Sequence, residues 1–133
     1  MKLRSLALAP ALVLAFATAA PAFEISFTWD GLKLCHDGNA RRVPSPAFTI
    51  KDAPEGTAFI RFKMVDKDVP GFDHGGGVVA YDGSGTVPAG AFKYYSPCPP
   101  GEVHRYEWTA TAQSKKNGGK LAKTTAARDY PEE

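Results

Sequence analysis

Apolar and polar residues alternate in several short stretches of this chain. Phe23, Ile25, Phe27 and Trp29 share one parity and Glu24, Ser26 and Thr28 the other, the period-two mark of a strand with one buried face. Ile60, Phe62 and Met64 alternate with Arg61 and Lys63 in the same way. The pattern predicts further strands over Phe48–Ile50, Val78–Tyr81, Phe92–Tyr95 and Val103–Ala112. Between them lie segments rich in Gly, Pro, Asp and Ser, notably 82–85 and 96–101, which read as loops. Gly118-Gly119 interrupts the pattern near the end, and Leu121–Arg128 predicts about two turns of helix before Pro131. No internal repeat or low-complexity linker is visible, so the fold class expected is mainly β.

The first residues follow a different logic. Lys2 and Arg4 precede an apolar run from Leu6 to Ala17, and Thr18, Ala19, Ala20, Pro21 and Ala22 follow it. A basic start, a short apolar stretch broken by Pro10 and a small-x-small site predict a secretory signal peptide over residues 1–22, cleaved after Ala22, with one domain over 23–133. The run is too short for a membrane anchor. The expected location is periplasmic or secreted.

Removing the leader changes the charge. It holds two of the sixteen Lys and Arg and none of the fourteen Asp and Glu, leaving fourteen of each sign and a net charge of zero. A neutral chain lacks the electrostatic footprint of a nucleic-acid binder, and Lys115, Lys116, Lys120 and Lys123, diluted by glycine, read as a solvated face. Cys35 and Cys98 are the two cysteines. In an exported chain they predict a structural disulfide.

Candidate chemistry follows from the same alternation. If the strand through Ile60, Phe62 and Met64 runs on, its buried parity reaches Asp66 and Asp68. His104, Tyr106 and Trp108 share one face of a later strand, and Arg105, Glu107 and Thr109 the other. Acids at the rim of a core beside an inward His and Tyr suit a small polar pocket. Each residue also has a plainer reading. Asp66 and Asp68 precede Val69-Pro70-Gly71 and would serve equally in a turn; His104 and Tyr106 would serve as satisfied core residues; His74, before three glycines, as a loop residue. A metal site built from His36, His74, His104 and nearby Asp residues is disfavoured, because the histidines are far apart in sequence with no i, i+4 pair.

Asp66-Lys67-Asp68-Val69-Pro70 resembles the Asp-Pro-Asp-x-Pro signature of the phosphatidylethanolamine-binding (Raf-kinase-inhibitor-like) family, and the stretch from Ser96 to Tyr106 resembles its Gly-Pro-x-Pro-Pro … Gly-x-His-Arg-Tyr signature. Upstream, Cys35-His36-Asp37-Gly38-Asn39, Ser45-Pro46 and Pro54-Glu55-Gly56-Thr57 are similar to landmarks of bacterial members. The resemblance implies an antiparallel β-sandwich with few short helices and a pocket for an anionic or phosphate-bearing ligand, such as a phospholipid head group. It implies that Asp66, His74, His104 and Tyr106 line that pocket, with Asp68 and Pro70 shaping its wall. It implies no cofactor, no metal and no catalytic residue. Arg105, on the opposite parity, is expected to be buried and paired, acting through folding. Lys67 in place of a proline, the short stretch before His74, Gly75 in place of a tryptophan, Ser96 in place of a glycine and the short tail after Gln113 depart from the family pattern. The competing functions are a hydrolytic enzyme using the Asp, His and Tyr groups, for which no nucleophile elbow or triad context is present, and a protein-directed inhibitor.

Overall fold

The computed structural model describes residues 1–16 and 21–132. Ala17, Thr18, Ala19 and Ala20 of the expected signal peptide lie outside the described residues, as does Glu133. Residues 1–16 belong to no helix or strand, and Leu6, Leu8, Leu12, Leu14 and Phe16 are exposed. Among the described residues no helix is long and apolar enough to cross a membrane.

The described residues form nine strands: β1 (Glu24–Phe27), β2 (Arg42–Pro44), β3 (Phe48–Lys51), β4 (Phe59–Asp66), β5 (Gly76–Ala80), β6 (Thr86–Val87), β7 (Lys93–Tyr95), β8 (His104–Lys115) and β9 (Gly118–Tyr130). They assemble into an antiparallel sheet β1-β3-β6, another in the order β5-β4-β8-β9, and a β2-β7 ribbon. The six strands expected from alternation are present. β2 and β6, with three and two residues, are too short to show a period.

The expected helix over Leu121–Arg128 is instead the middle of β9, and no helix occurs among the described residues. The segment has fair helix formers, but β8 offers a complete ladder, and pairing runs from His104↔Tyr130 to Lys115↔Gly118 around the Lys116-Asn117 turn. Tertiary pairing outweighs propensities of roughly a few tenths of a kcal/mol per residue. Ala122, Thr124 and Ala126 are partly covered while Lys123 and Thr125 are exposed, a period of two. Lys115, Lys116, Lys120 and Lys123 lie exposed at this hairpin's tip, as expected of a solvated face.

The two larger sheets bury one core between them. Ile25, Phe27, Phe48, Ile50 and Val87 face Ile60, Phe62, Met64, Trp108 and Ala110. Phe48 stacks on Phe62 at 4.2 Å, with Trp108 edge-on to both. Such aromatic pairs add about 0.5–1.5 kcal/mol each beyond buried area. Arg128 closes the open side, donating from Nε to the Phe27 carbonyl and lying over its ring.

Of the three glycines after His74, Gly75 has a positive φ of 74° and open space around it, whereas Gly76 and Gly77 allow close approach. A Cβ on Gly76 would sit 1.8 Å from the Phe62 carbonyl oxygen, and one on Gly77 would sit 2.7 Å from the Phe92 side chain. β5 can therefore enter the sheet beside β4 only without side chains at these positions. Cys35 and Cys98 are bonded to each other, joining the irregular segment 28–41 to the loop 96–103.

Two expectations follow. Replacing both cysteines by serine removes a cross-link spanning 63 residues, worth about 4 kcal/mol in the chain-entropy model; denaturant unfolding of the oxidised protein and the double variant should show that gap, and equal stabilities would deny the bond a stabilising role. Gly76→Ala should cost at least ~2 kcal/mol, because the new methyl meets backbone rather than a flexible side chain, and unchanged thermal unfolding would contradict the close approach.

Candidate functional site

The antiparallel ladder of β4 and β8 builds the site. Pairing runs from Phe59↔Gln113 to Asp66↔Tyr106, and the inward parity carries Ile60, Phe62, Met64 and then Asp66 on one strand and Trp108, Tyr106 and His104 on the other. The core therefore changes from apolar to polar at one end of the ladder without any break in the pattern.

Asp66 is 4 % exposed and its carboxylate is fully engaged. Oδ1 accepts the backbone N–H groups of Asp68 and Val69 at 2.8 and 3.2 Å, and Oδ2 lies 2.7 Å from His104 Nδ1. The turn reading of this aspartate holds for Oδ1, while Oδ2 faces the inward histidine. Burial alone would raise its pKa, but the His104 hydrogen bond and charge, with the two backbone donors, hold it below the usual carboxylate range.

His104 has a carboxylate on each ring nitrogen: Asp66 on Nδ1, and Glu102 Oε2 at 2.8 Å on Nε2. Ionised carboxylates only accept, so two such partners favour a ring with hydrogen on both nitrogens, the imidazolium. Burial would lower its pKa, but the hydrogen bonds to Asp66 and Glu102 and the charges of Asp66 and Asp68 raise it. His74, 4 % exposed, behaves in the opposite way. Burial depresses its pKa, outweighing the Tyr95 carbonyl and the charges of Asp66 and Asp73. Its Nδ1–H donates to that carbonyl at 2.7 Å, leaving Nε2 as an acceptor. The Tyr106 ring lies between the two, 5.5 Å from His74 and 6.3 Å from His104. Burial and the neighbouring Asp66 push its hydroxyl pKa up, so it is a neutral donor.

The structure thus brings Asp66, His74, His104 and Tyr106 together. The remaining two expected residues sit differently. β4 ends at Asp66, so Asp68 is exposed at the rim, where Oδ2 accepts the Arg105 N–H at 2.8 Å. Pro70 is in the exposed turn after Asp68. Arg105 is paired, through Nη1 to Asp129 at 3.0 Å, but its side chain is 56 % exposed rather than buried, because the outer face of β8 is open to solvent. Its pair is of the surface kind, worth about 0–1 kcal/mol. Lys67 pairs with Glu107 at 3.7 Å on the same outer face.

Alternation also holds the signal for a residue overlooked above: Glu102 is two positions before His104, so an extended chain puts both on one side. Asp66, Asp68 and His104 hold potential ligand atoms within 4.8 Å of one another, but a metal ion would compete with the backbone donors and the imidazolium proton already on those atoms. His36 is exposed and lines a cavity beside the disulfide. That cavity, about 580 Å³, includes none of the four converging side chains in its wall.

No family model matches the chain, and no curated protein matches it significantly in sequence. Solved structures do. A phosphatidylethanolamine-binding-protein homologue from Chlamydia trachomatis superposes with a TM-score of 0.55 at 19 % identity, over 68 % of this chain and 82 % of that one. YbcL from E. coli, described as a member of the mammalian phosphatidylethanolamine-binding-protein family, superposes with a TM-score of 0.58 at 17 % identity, over 84 % of this chain and 99 % of that one. The all-β, antiparallel architecture described above is the fold of those proteins.

The two histidines should titrate in opposite directions by NMR, His104 above and His74 below the ordinary value of about 6.5. The stability that His104 contributes is fully present below about pH 6.5 and is lost as pH rises through its raised pKa. That of neutral His74 is present above about pH 6.5 and is lost as pH falls through its lowered pKa. Urea unfolding across this range should show the alkaline decline shrink in His104→Gln; an unchanged profile would mean that His104 does not form the paired imidazolium.

Proposed function

We propose that this chain is an exported, non-catalytic member of the phosphatidylethanolamine-binding family whose Asp66, His74, His104 and Tyr106 cluster binds a small phosphate-bearing ligand. One observation carries the reading. The buried imidazolium of His104 presents Nε2–H to an exposed, displaceable carboxylate, since the Glu102 side chain is 64 % exposed against 10 % for His104. A phosphate oxygen is the same kind of acceptor and would exchange with Glu102 in a charge-assisted hydrogen bond. The Tyr106 hydroxyl supplies a second donor, and the bare His74 Nε2 accepts from a hydroxyl or ammonium group elsewhere on the ligand. The names of the two structural neighbours point to the same ligand class, a phospholipid head group.

Export is supported by the composition of residues 1–22, by the exposure of the apolar side chains in residues 1–16, and by the disulfide. The binding role is favoured over hydrolysis because the cluster offers acid, base and hydrogen-bond groups but no Ser, Thr or Cys nucleophile among them, and both cysteines are held in the disulfide.

Titration with inorganic phosphate and with phosphoethanolamine, followed by NMR, should shift His104, Tyr106 and His74 together. His104→Ala should abolish the response with the fold intact, while Glu102→Gln should tighten phosphate binding about tenfold, ~1.4 kcal/mol, by removing the competing charge. Affinity should fall as pH rises through the raised pKa of His104. Phosphate binding that ignores His104→Ala would refute the site, and turnover of a phosphoester panel would reassign it to an enzyme.

A further inference from the structure

The cavity of about 580 Å³ lies under the irregular segment 28–41; none of Asp66, His74, His104 and Tyr106 lines it, although Trp29 in its wall packs edge-on against Tyr106 at 6.0 Å. Its size falls within the range of small-molecule sites, about 300–1,000 Å³. Trp29, Leu32, Leu34, Val43 and Pro46 give it apolar walls. Those walls are fixed before any ligand arrives: Cys35 is bonded to Cys98, Trp29 Nε1 donates to the Asp129 carbonyl, and the Tyr130 hydroxyl accepts the Cys35 N–H and donates to the Lys33 carbonyl. Leu34 is nevertheless 66 % exposed at the cavity, an apolar side chain pinned where water meets it.

A second, independent feature lies in the wall. Tyr94 is 2 % exposed and borders the cavity. Its hydroxyl is not among the sealed, unpartnered polar atoms of the described residues, and burial, with the neighbouring Tyr130, pushes its pKa up. It is therefore a neutral hydroxyl able to donate to an acceptor in the chamber. Arg41 is taken by Asp37 at 2.7 Å, and the other charged lining residues, Lys33 and Asp30, are one of each sign. No excess of either charge lines the chamber.

We propose that this cavity is a second ligand site, taking an uncharged, largely apolar small molecule that carries a hydrogen-bond acceptor for the Tyr94 hydroxyl. Binding covers Leu34 and engages the Tyr94 hydroxyl at once, and neither event involves His104.

The probe for the test is prodan, an uncharged naphthalene ketone whose emission moves to the blue in apolar surroundings. The purified protein should give a saturable one-to-one blue shift that excess inorganic phosphate does not reverse, whatever the fate of the phosphate reading. Ala89→Trp fills the chamber from an exposed position in its wall and should weaken prodan at least tenfold with unchanged circular dichroism and melting temperature. Tyr94→Phe, which removes only the hydroxyl, should weaken prodan about fivefold while leaving N-phenyl-1-naphthylamine, which lacks a carbonyl, unaffected. Absence of saturable binding, insensitivity to Ala89→Trp, or displacement by phosphate would each overturn the proposal. A dimer that prodan dissociates would overturn it too, assigning the chamber to a second copy of the chain.

Discussion

Eight consecutive residues of β4 pair with eight of β8, from Phe59↔Gln113 to Asp66↔Tyr106, and this one register decides both the core and the site. A slip by one residue would turn Ile60, Phe62, Met64 and Asp66 outward together. The apolar stretch resists any such slip, since Phe62 and Trp108 are locked against Phe48 from the facing sheet. The polar end depends on that lock for its position. Asp66 and His104 meet because the packing of residues several positions away has already fixed which way they point.

The burial of these ionic groups is offset locally. An unpaired carboxylate at this depth would be neutralised rather than tolerated, yet Asp66 keeps its charge through two backbone N–H groups and one imidazolium. His104 keeps its proton through two carboxylates. His74, close by but satisfied by a carbonyl, gives its proton up. Two histidines with the same intrinsic chemistry are thereby set to opposite states, and the cluster offers donors and acceptors side by side.

Much of this was legible in the sequence because strands advertise themselves by parity. The alternation at 23–29 and 60–66 placed β1 and β4, and the shared parity of His104, Tyr106 and Trp108 named three inward residues. His74 came from the family resemblance alone; no periodicity surrounds it, since Gly75, Gly76 and Gly77 have no side chains to alternate. Parity also has limits that these residues show. It does not say where a strand stops, so Asp68 was carried inward with Asp66 although the turn after Asp66 puts it at the rim. It does not say which side of a sheet is covered, so Arg105 was expected to be buried. The stretch from Leu121 to Arg128 has residues small and polar enough to suit either a helix or a strand, and only its neighbour β8 decides.

The bond between Cys35 and Cys98 closes through the loss of two electrons to an outside acceptor. Strand pairing needs nothing from the surroundings, but the joining of segment 28–41 to loop 96–103 does. The wall of the cavity under segment 28–41 and the loop that leads into His104 both hang from that joint. The sheets can therefore be complete wherever the chain is made, while the two irregular segments are joined only where thiols are not kept reduced.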